Sequence, residues 1–350
     1  MKVLLLVCFA CTLLVSPVTV AKSTMQDDPA SQDETEMSPQ KQVVPLMDLG
    51  TRLYLGKFEG GLYEGGVNTP PPDQDEGLRK AASQVQPIKG KNVVVSIGMS
   101  NWTDEMCCQS ETFIAQAQAN PNVNHKTLAL VDCAQSGVDA RRWANPNDQA
   151  WTICRNRLAH VGRGFNDVQV ILWKDADLSP VQPMKTLNGH CTLLSPQDYC
   201  LYARDVGVVA RYIKQHMPNI KMMFLHSRIY AGYGTGVNPE PFAYEYGFST
   251  RYVIESQIAQ ERGGQPDPNV GDVSLSAAPI MAWGPYFWAD GTIPRSDGLI
   301  WCNGQVEAPC NGEQDFQRDG IHPSTYGIQK VAGMLMNFYL ASPYAPWFRP

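Results

Sequence analysis

Near its C-terminal end the sequence places an aspartate and a histidine three positions apart, in Asp319-Gly320-Ile321-His322. A carboxylate beside an imidazole holds the ring in one tautomer and stabilises its positive charge, so such a pair suits an orienting group and a general base. This chemistry also requires a nucleophile within reach of the histidine. The other histidines have no acidic neighbour at this spacing and are predicted to be surface or core residues: His125, His160, His190, His216 and His226.

The candidate nucleophile is Ser100, which follows an apolar run in Gly98-Met99-Ser100-Asn101. The next residues predict a helix, with Thr103 as N-cap and Asp104 and Glu105 in its first turn. A serine at such a turn exposes its hydroxyl and lies beside backbone N–H groups that can stabilise an oxyanion. Helix capping is the alternative interpretation of Ser100, and the Asp319 and His322 pair favours the nucleophile.

Two further polar loops follow apolar runs. In the first, Asp132 to Gly137, a glycine lets the backbone approach a substrate and offer the N–H of Gly137. In the second, Lys174, Asp175 and Asp177 form a polar cluster.

The elements that must position these residues alternate between strand and helix patterns. Buried strands are predicted at 92–97, 128–132, 168–173, 221–225 and 279–283. Helices are predicted at 104–119, 148–160, 197–216, 247–261 and 326–340. This alternation predicts an α/β domain with a parallel sheet of about five strands, in which the loops that follow the strands meet at one edge.

Composition divides the 350 residues into four segments. Residues 1–21 are predicted to be a secretory signal peptide because a short apolar run follows Lys2. Residues 22–42 are polar and predict a disordered linker. Residues 43–91 are rich in Gly, Pro and Tyr and predict a loop-rich lead packed on the main domain, residues 92–350. We therefore expect a secreted or periplasmic protein without a stable membrane anchor.

Several function classes are disfavoured. A formal net charge of −6 without clustered Lys and Arg argues against nucleic acid as a partner. The run Gly232-Tyr233-Gly234-Thr235-Gly236 lacks the glycine spacing of a dinucleotide loop, and no His-Glu-x-x-His occurs. We expect no cofactor and no metal. The partner is expected to be a small-molecule or polysaccharide ester.

Eight cysteines follow the predicted signal peptide, and an even number in an exported chain favours disulfides. Cys191 with Cys200 and Cys302 with Cys310 are close enough in sequence to close local loops. Cys133 is expected to pair with Cys107 or Cys108, and the fourth bridge is left open.

Taken together, the serine turn, the glycine loop, the polar third loop and the terminal Asp-x-x-His resemble the SGNH/GDSL hydrolase superfamily. The sequence is similar to exported bacterial SGNH-like proteins in its Gly98 to Asn101, Arg228 to Tyr233 and Ala282 to Tyr286 stretches. The resemblance implies a flavodoxin-like three-layer α/β/α sandwich, with Ser100, His322 and Asp319 as nucleophile, base and orienting acid. It also implies that backbone N–H groups of Ser100 and Gly137 form the oxyanion hole.

The sequence departs from the superfamily at its third block, where an asparagine normally donates to the oxyanion and Asp177 stands here. An ionised carboxylate at that place would raise the barrier. Asp177 is therefore expected to be protonated, to point elsewhere or to impair the site, and Lys174 is a candidate to neutralise it.

The substrate-binding candidates are Asn101, Lys174, Tyr233, Trp283 and Tyr286. Aromatic rings at the mouth of a site can stack on sugars. The resulting hypothesis is an exported serine esterase that removes O-acetyl groups from carbohydrate. The alternatives are a catalytically impaired carbohydrate-binding protein and a lipase or thioesterase.

Overall fold

The computed structural model describes residues 43–234 and 236–350. The predicted signal peptide (1–21) and linker (22–42) lie outside these residues. Within the described ranges, no helix combines the length and the apolar character needed to cross a membrane.

A five-stranded parallel sheet forms the centre of the protein. Its strands, in chain order, are β3 (Asn92–Gly98), β4 (Leu128–Asp132), β5 (Val168–Lys174), β6 (Met222–Leu225) and β7 (Ile280–Trp283). They are arranged in the order β4-β3-β5-β6-β7. Counting these five alone, the order is 2-1-3-4-5, that of a flavodoxin-like doubly wound sheet. The predicted fold class is confirmed.

Helices cover both faces of this sheet, and alternate strand residues point to opposite faces. Val93, Val95 and Ile97 pack into one apolar core, whereas Val94 packs into the other. The first core is covered by α5 (Ala140–Ala144), α6 (Gln149–His160), α7 (Asp198–His216) and α8 (Phe242–Glu261). The second is covered by α2 (Pro72–Ser83), α3 (Ser100–Met106), α4 (Phe113–Ala119) and α9 (Thr325–Ala341).

The single helix predicted at 104–119 is wrong, because two helices occupy this stretch. The helix α3 begins at Ser100 and ends at Met106, and α4 begins only at Phe113. Thr103 is not an N-cap, since it lies within α3 and donates its hydroxyl to Asp132. The apolar residues of the two helices follow one helical spacing in the sequence. The spacing therefore gives no sign of the break between Met106 and Phe113.

The lead is more ordered than its composition predicts. It contains α1 (Leu46–Leu49), a small antiparallel pair of β1 (Leu53–Tyr54) and β2 (Phe58–Glu59), and the 12-residue helix α2. Proline at the first helical position suits the fixed backbone angle of α2, and acidic residues fill its first turn. These signals lie in the sequence, although the neighbouring prolines made the stretch look like a loop.

The described chain contains four close cysteine pairs. Cys191–Cys200 and Cys302–Cys310 pair as predicted, each with 5.6 Å between Cα atoms. The prediction for Cys133 is wrong: it pairs with Cys154 on α6, at a Cα–Cα distance of 4.9 Å. Cys107 and Cys108 then pair with each other. The way α6 packs beside the end of β4 brings Cys133 and Cys154 together, and the spacing of cysteines in the sequence does not predict this contact.

Candidate active site

Ser100 is the first residue of α3 and follows β3 after a single intervening residue. The last residue of β3 is Gly98, where an added Cβ would overlap the backbone carbonyl of Lys174 and crowd Trp102. The glycine therefore lets β3 and β5 stay close at the edge where α3 begins. At this edge the sheet reverses its winding direction, a position at which doubly wound sheets bind ligands.

Asp319 and His322 lie in the loop before α9, and the Asp319 carboxylate organises that loop. Its Oδ1 accepts backbone N–H groups of Ile321 (2.9 Å) and His322 (3.0 Å). Its Oδ2 lies 2.6 Å from Nδ1 of the His322 ring. Gly320 has a φ of 67° and lies against the backbone of Tyr233, so a side chain there would be both strained and obstructed.

The structure brings Ser100, His322 and Asp319 into one hydrogen-bonded chain. The Nε2 of His322 lies 2.9 Å from the Ser100 hydroxyl. Because Nδ1 faces a carboxylate, it carries the proton, and Nε2 is left to accept from serine. Burial raises the pKa of Asp319, but hydrogen bonds from His322 and from two backbone N–H groups outweigh it and lower the pKa. The carboxylate is thus kept ionised beside the imidazole.

A cavity of about 280 Å³ opens beside this chain of groups. It is lined by Met99, Ser100, Asn101, Ser136, Gly137, Leu178, Arg228, Val237, Ile321 and His322. Gly137, predicted as an oxyanion donor, is part of the same lining as Ser100 and His322. A larger cavity of about 500 Å³ lies between the lead and α8, but its lining contains no serine, cysteine or histidine.

Asn101 has a different environment from the one predicted. Its side chain is buried, and its Nδ2 donates to the carbonyl of Ile321 at 2.9 Å. The residue borders the cavity, yet its amide is occupied in joining α3 to the loop that carries His322.

Asp177 does not line the cavity. The carboxyl is 1% exposed, and neither oxygen has a hydrogen-bond partner among the described residues. Burial, together with the carboxylates of Asp205, Asp139 and Asp198, raises the pKa of Asp177 to about 8. This raised pKa favours the neutral carboxyl near pH 7, which is one of the three states expected for Asp177.

Lys174 is neither a substrate-binding residue of the cavity nor a partner of Asp177. It is fully buried and forms an ion pair with Glu105 on α3. Its ammonium also lies 5.4 Å from the ring centre of Trp102 and 5.3 Å from that of Phe287. Burial opposes both charges, lowering the pKa of Lys174 and raising that of Glu105. The pair holds α3 against β5.

The three aromatic candidates are not in the lining of the cavity either. Trp283 donates its indole N–H to the carbonyl of Leu62, and the Tyr286 hydroxyl accepts the N–H of Leu46. Both therefore hold the lead against the main domain. Tyr233 is half-buried and donates its hydroxyl to the carbonyl of Trp301 at 2.6 Å. The sequence of an aromatic-rich loop does not show whether its rings pack inside the protein or face a ligand.

Arg228 is the cavity residue that sequence reasoning missed. It follows β6 by three positions, at the carboxyl edge of the sheet, and that position was the available signal. His226, by contrast, is a satisfied core histidine, bonded through Nδ1 to the carbonyl of Trp173 and through Nε2 to Tyr339. Burial lowers the pKa of His226 to about 3, so it stays neutral.

Over residues 43–234 and 236–350, no group of three or more His, Cys, Asp or Glu side chains is arranged to hold a metal ion. No model of a known protein family matches the sequence, and no curated protein matches it.

Solved structures with weak similarity to this chain include the following two. One is the crystal structure of TesA, with a TM-score of 0.36 and 13% identity over 72% of this chain and 99% of that chain. The other is an extracellular lipase from Streptomyces rimosus, with a TM-score of 0.30 and 11% identity over 70% and 99%. At these TM-scores neither similarity establishes an activity for this chain.

Proposed function

We propose that the protein is a serine hydrolase acting on carboxylic esters. The observation that carries the proposal is the chain of contacts from Ser100 through His322 to Asp319, at 2.9 and 2.6 Å, beside a cavity. Hydroxyl, imidazole and carboxylate in this order form the arrangement that activates a serine for attack on a carbonyl.

In the proposed mechanism, Ser100 Oγ bonds to the ester carbonyl carbon while His322 Nε2 takes its proton. The backbone N–H groups of Ser100 and Gly137 donate to the oxyanion. As the tetrahedral intermediate collapses, the bond to the alcohol oxygen breaks and His322 returns the proton to the leaving alcohol. Water then attacks the acyl-enzyme by the same route and releases the acid. Asp319 stabilises the imidazolium in both halves.

The residues support an SGNH-type enzyme with a short acyl substrate. A cavity of about 280 Å³ favours an acetyl group over the long chain of a lipid ester or thioester. O-acetylated carbohydrate is the proposed substrate, and the protein is proposed to be secreted or periplasmic. The four cysteine pairs are compatible with export. Asp177 and the aromatic candidates lie outside the cavity lining, which supports the hydrolase over the alternative of a catalytically impaired carbohydrate-binding protein.

The test combines labelling with hydrolysis. A fluorophosphonate should form an adduct on Ser100, located by peptide mass spectrometry, and Ser100→Ala should abolish both the adduct and hydrolysis of 4-nitrophenyl acetate. The exposed Ser83→Ala is the matched control and should behave as wild type. Full esterase activity in Ser100→Ala would disprove the proposal. A panel from acetyl to octanoyl esters, with a thioester, separates an acetylesterase from a lipase or thioesterase.

A further inference from the structure

We propose that Arg228 binds a carboxylate carried by the substrate, so that the enzyme selects acidic esters over neutral ones. This inference rests on the proposed function, since it names the substrate class for the same cavity. The observation behind it is that the buried, unpaired guanidinium of Arg228 lines the same cavity as Ser100 and His322.

Arg228 belongs to the cavity that contains Ser100 and His322, yet its side chain is 1% exposed. Its Nε and Nη1 are buried without a hydrogen-bond acceptor anywhere in the described residues. None of the ion pairs of the described chain involves Arg228, whereas Arg251 and Arg295, the other arginines with little exposure, each have carboxylate partners. The guanidinium is therefore an unpaired cation at the wall of the cavity.

Glu105 and Asp175, two buried acidic groups on which the charge of Arg228 acts, form no ion pair with it. Glu105 is already paired with Lys174. Asp175 accepts the N–H of Ala176 through one oxygen, and its other oxygen is buried without a partner. The positive charge of Arg228 acts on Glu105 and Asp175 from a distance, lowering the pKa of each, but burial raises both by more. A carboxyl that is pushed toward its neutral form is a weak counterion.

A buried cation without a partner is costly, and a guanidinium keeps its charge inside proteins. Its planar array of N–H donors matches the two oxygens of a carboxylate. A substrate carboxylate is charged from the moment it binds, so it compensates Arg228 in the enzyme–substrate complex. The carbonyl oxygen of the ester, by contrast, becomes negative only as the reaction proceeds, and the N–H groups of Ser100 and Gly137 are proposed to meet it.

The experiment compares three esters: 4-nitrophenyl acetate, 5-acetoxy-2-nitrobenzoate with its carboxylate on the leaving group, and 4-nitrophenyl glutarate with its carboxylate on the acyl part. In wild type, kcat/KM for at least one carboxylated ester should exceed that for the neutral ester by about tenfold or more. In Arg228→Gln this preference should fall by roughly ten- to a hundredfold, because KM should rise more for the carboxylated ester than for the neutral ester.

Two variants control the result. Arg228→Lys should retain part of the preference for the carboxylated ester because lysine keeps the positive charge. The retention should be incomplete because lysine lacks the two parallel N–H donors of a guanidinium. Arg163→Gln removes a positive charge beside Ile88 and Lys89, at the opposite edge of the sheet, and should change nothing. If Arg228→Gln lowers kcat equally for all three esters, Arg228 serves the oxyanion and the proposal is overturned. An unchanged preference overturns it as well.

A binding measurement separates this proposal from the hydrolase assignment. Calorimetric titration of Ser100→Ala with glutarate and with benzoate should show binding of at least one, and adding Arg228→Gln should remove it. Binding that is lost only with Arg228 supports the anion site even if Ser100 proves not to be a nucleophile. Absence of binding in Ser100→Ala overturns the anion site and leaves the serine mechanism to its own test.

Discussion

The side-chain amide of Asn101 donates a hydrogen bond of 2.9 Å to the backbone carbonyl of Ile321, 220 residues later in the chain. Asn101 is adjacent to Ser100, and Ile321 is adjacent to His322. This single buried bond therefore connects the segment that carries the serine to the loop that carries the histidine, and it fixes the distance between Oγ and Nε2.

Asn101→Ala should lower kcat by roughly ten- to a hundredfold with little change in KM, because a displacement of about 1 Å between reacting groups is costly. It should also destabilise the fold by about 1–3 kcal/mol, since the carbonyl of Ile321 loses its donor. Steady-state kinetics and denaturant unfolding measure the two effects. The exposed Asn122→Ala is the control. A raised KM at unchanged kcat would instead make Asn101 a substrate-binding residue.

Asp319→Asn should reduce kcat/KM by roughly 10²–10⁴. An amide in place of the carboxylate can donate to Nδ1 of His322, which favours the tautomer whose Nε2 carries the proton and cannot accept from Ser100. The rate of fluorophosphonate labelling should fall in parallel, because it reports the nucleophilicity of the serine without substrate binding. Near wild-type labelling would show that the carboxylate does not set the tautomer.

Asp177→Asn should stabilise the protein increasingly as the pH rises from about 4 to about 8. The pKa of Asp177 is raised from 3.8 to about 8, so over this window the folded protein retains a proton that the unfolded chain has released. The stabilising effect of that proton is complete below the unfolded pKa and is lost as the pH rises through the folded one. The asparagine variant removes this dependence.

Relative to wild type, the free energy of unfolding of Asp177→Asn should rise by at most about 1.4 kcal/mol per pH unit, and the difference should level off above pH 8. Urea unfolding at pH 5, 7 and 8.5 measures it, with the exposed Glu307→Gln as a control that should show no such trend. Esterase activity should stay within about twofold, because Asp177 does not line the cavity. A large change in kcat would place the carboxyl beside the oxyanion after all.

Removing one partner of the Glu105–Lys174 pair should be far more damaging than removing both. Glu105→Gln or Lys174→Met leaves a buried charge uncompensated and should cost about 3–5 kcal/mol, whereas the double variant should recover much of the loss. Denaturant unfolding of wild type, the two single variants and the double variant gives the coupling energy of the pair in a double-mutant cycle. Additive losses would show that the two residues contribute independently. KM of the double variant should match wild type, because neither residue lines the cavity.

The sequence by itself determined the five strands of the central sheet, their alternation with helices, and the presence of a serine, an aspartate and a histidine that could meet at one edge of the sheet. Continuous apolar runs bounded by turn residues are local signals, and a parallel sheet brings the loops after its strands together whatever their separation in the chain. Asp319 and His322 are also close in sequence, so their contact was readable there.

Only the tertiary structure decided which polar residues face the cavity. Lys174 is the last residue of β5 and is paired with Glu105, and Asp177, three positions later, is buried away from the cavity lining. Arg228, to which the sequence assigned no role in the site, is the unpaired cation at the cavity wall. The direction of a side chain depends on contacts with residues distant in the chain, and those contacts exist only once the helices have packed on the sheet.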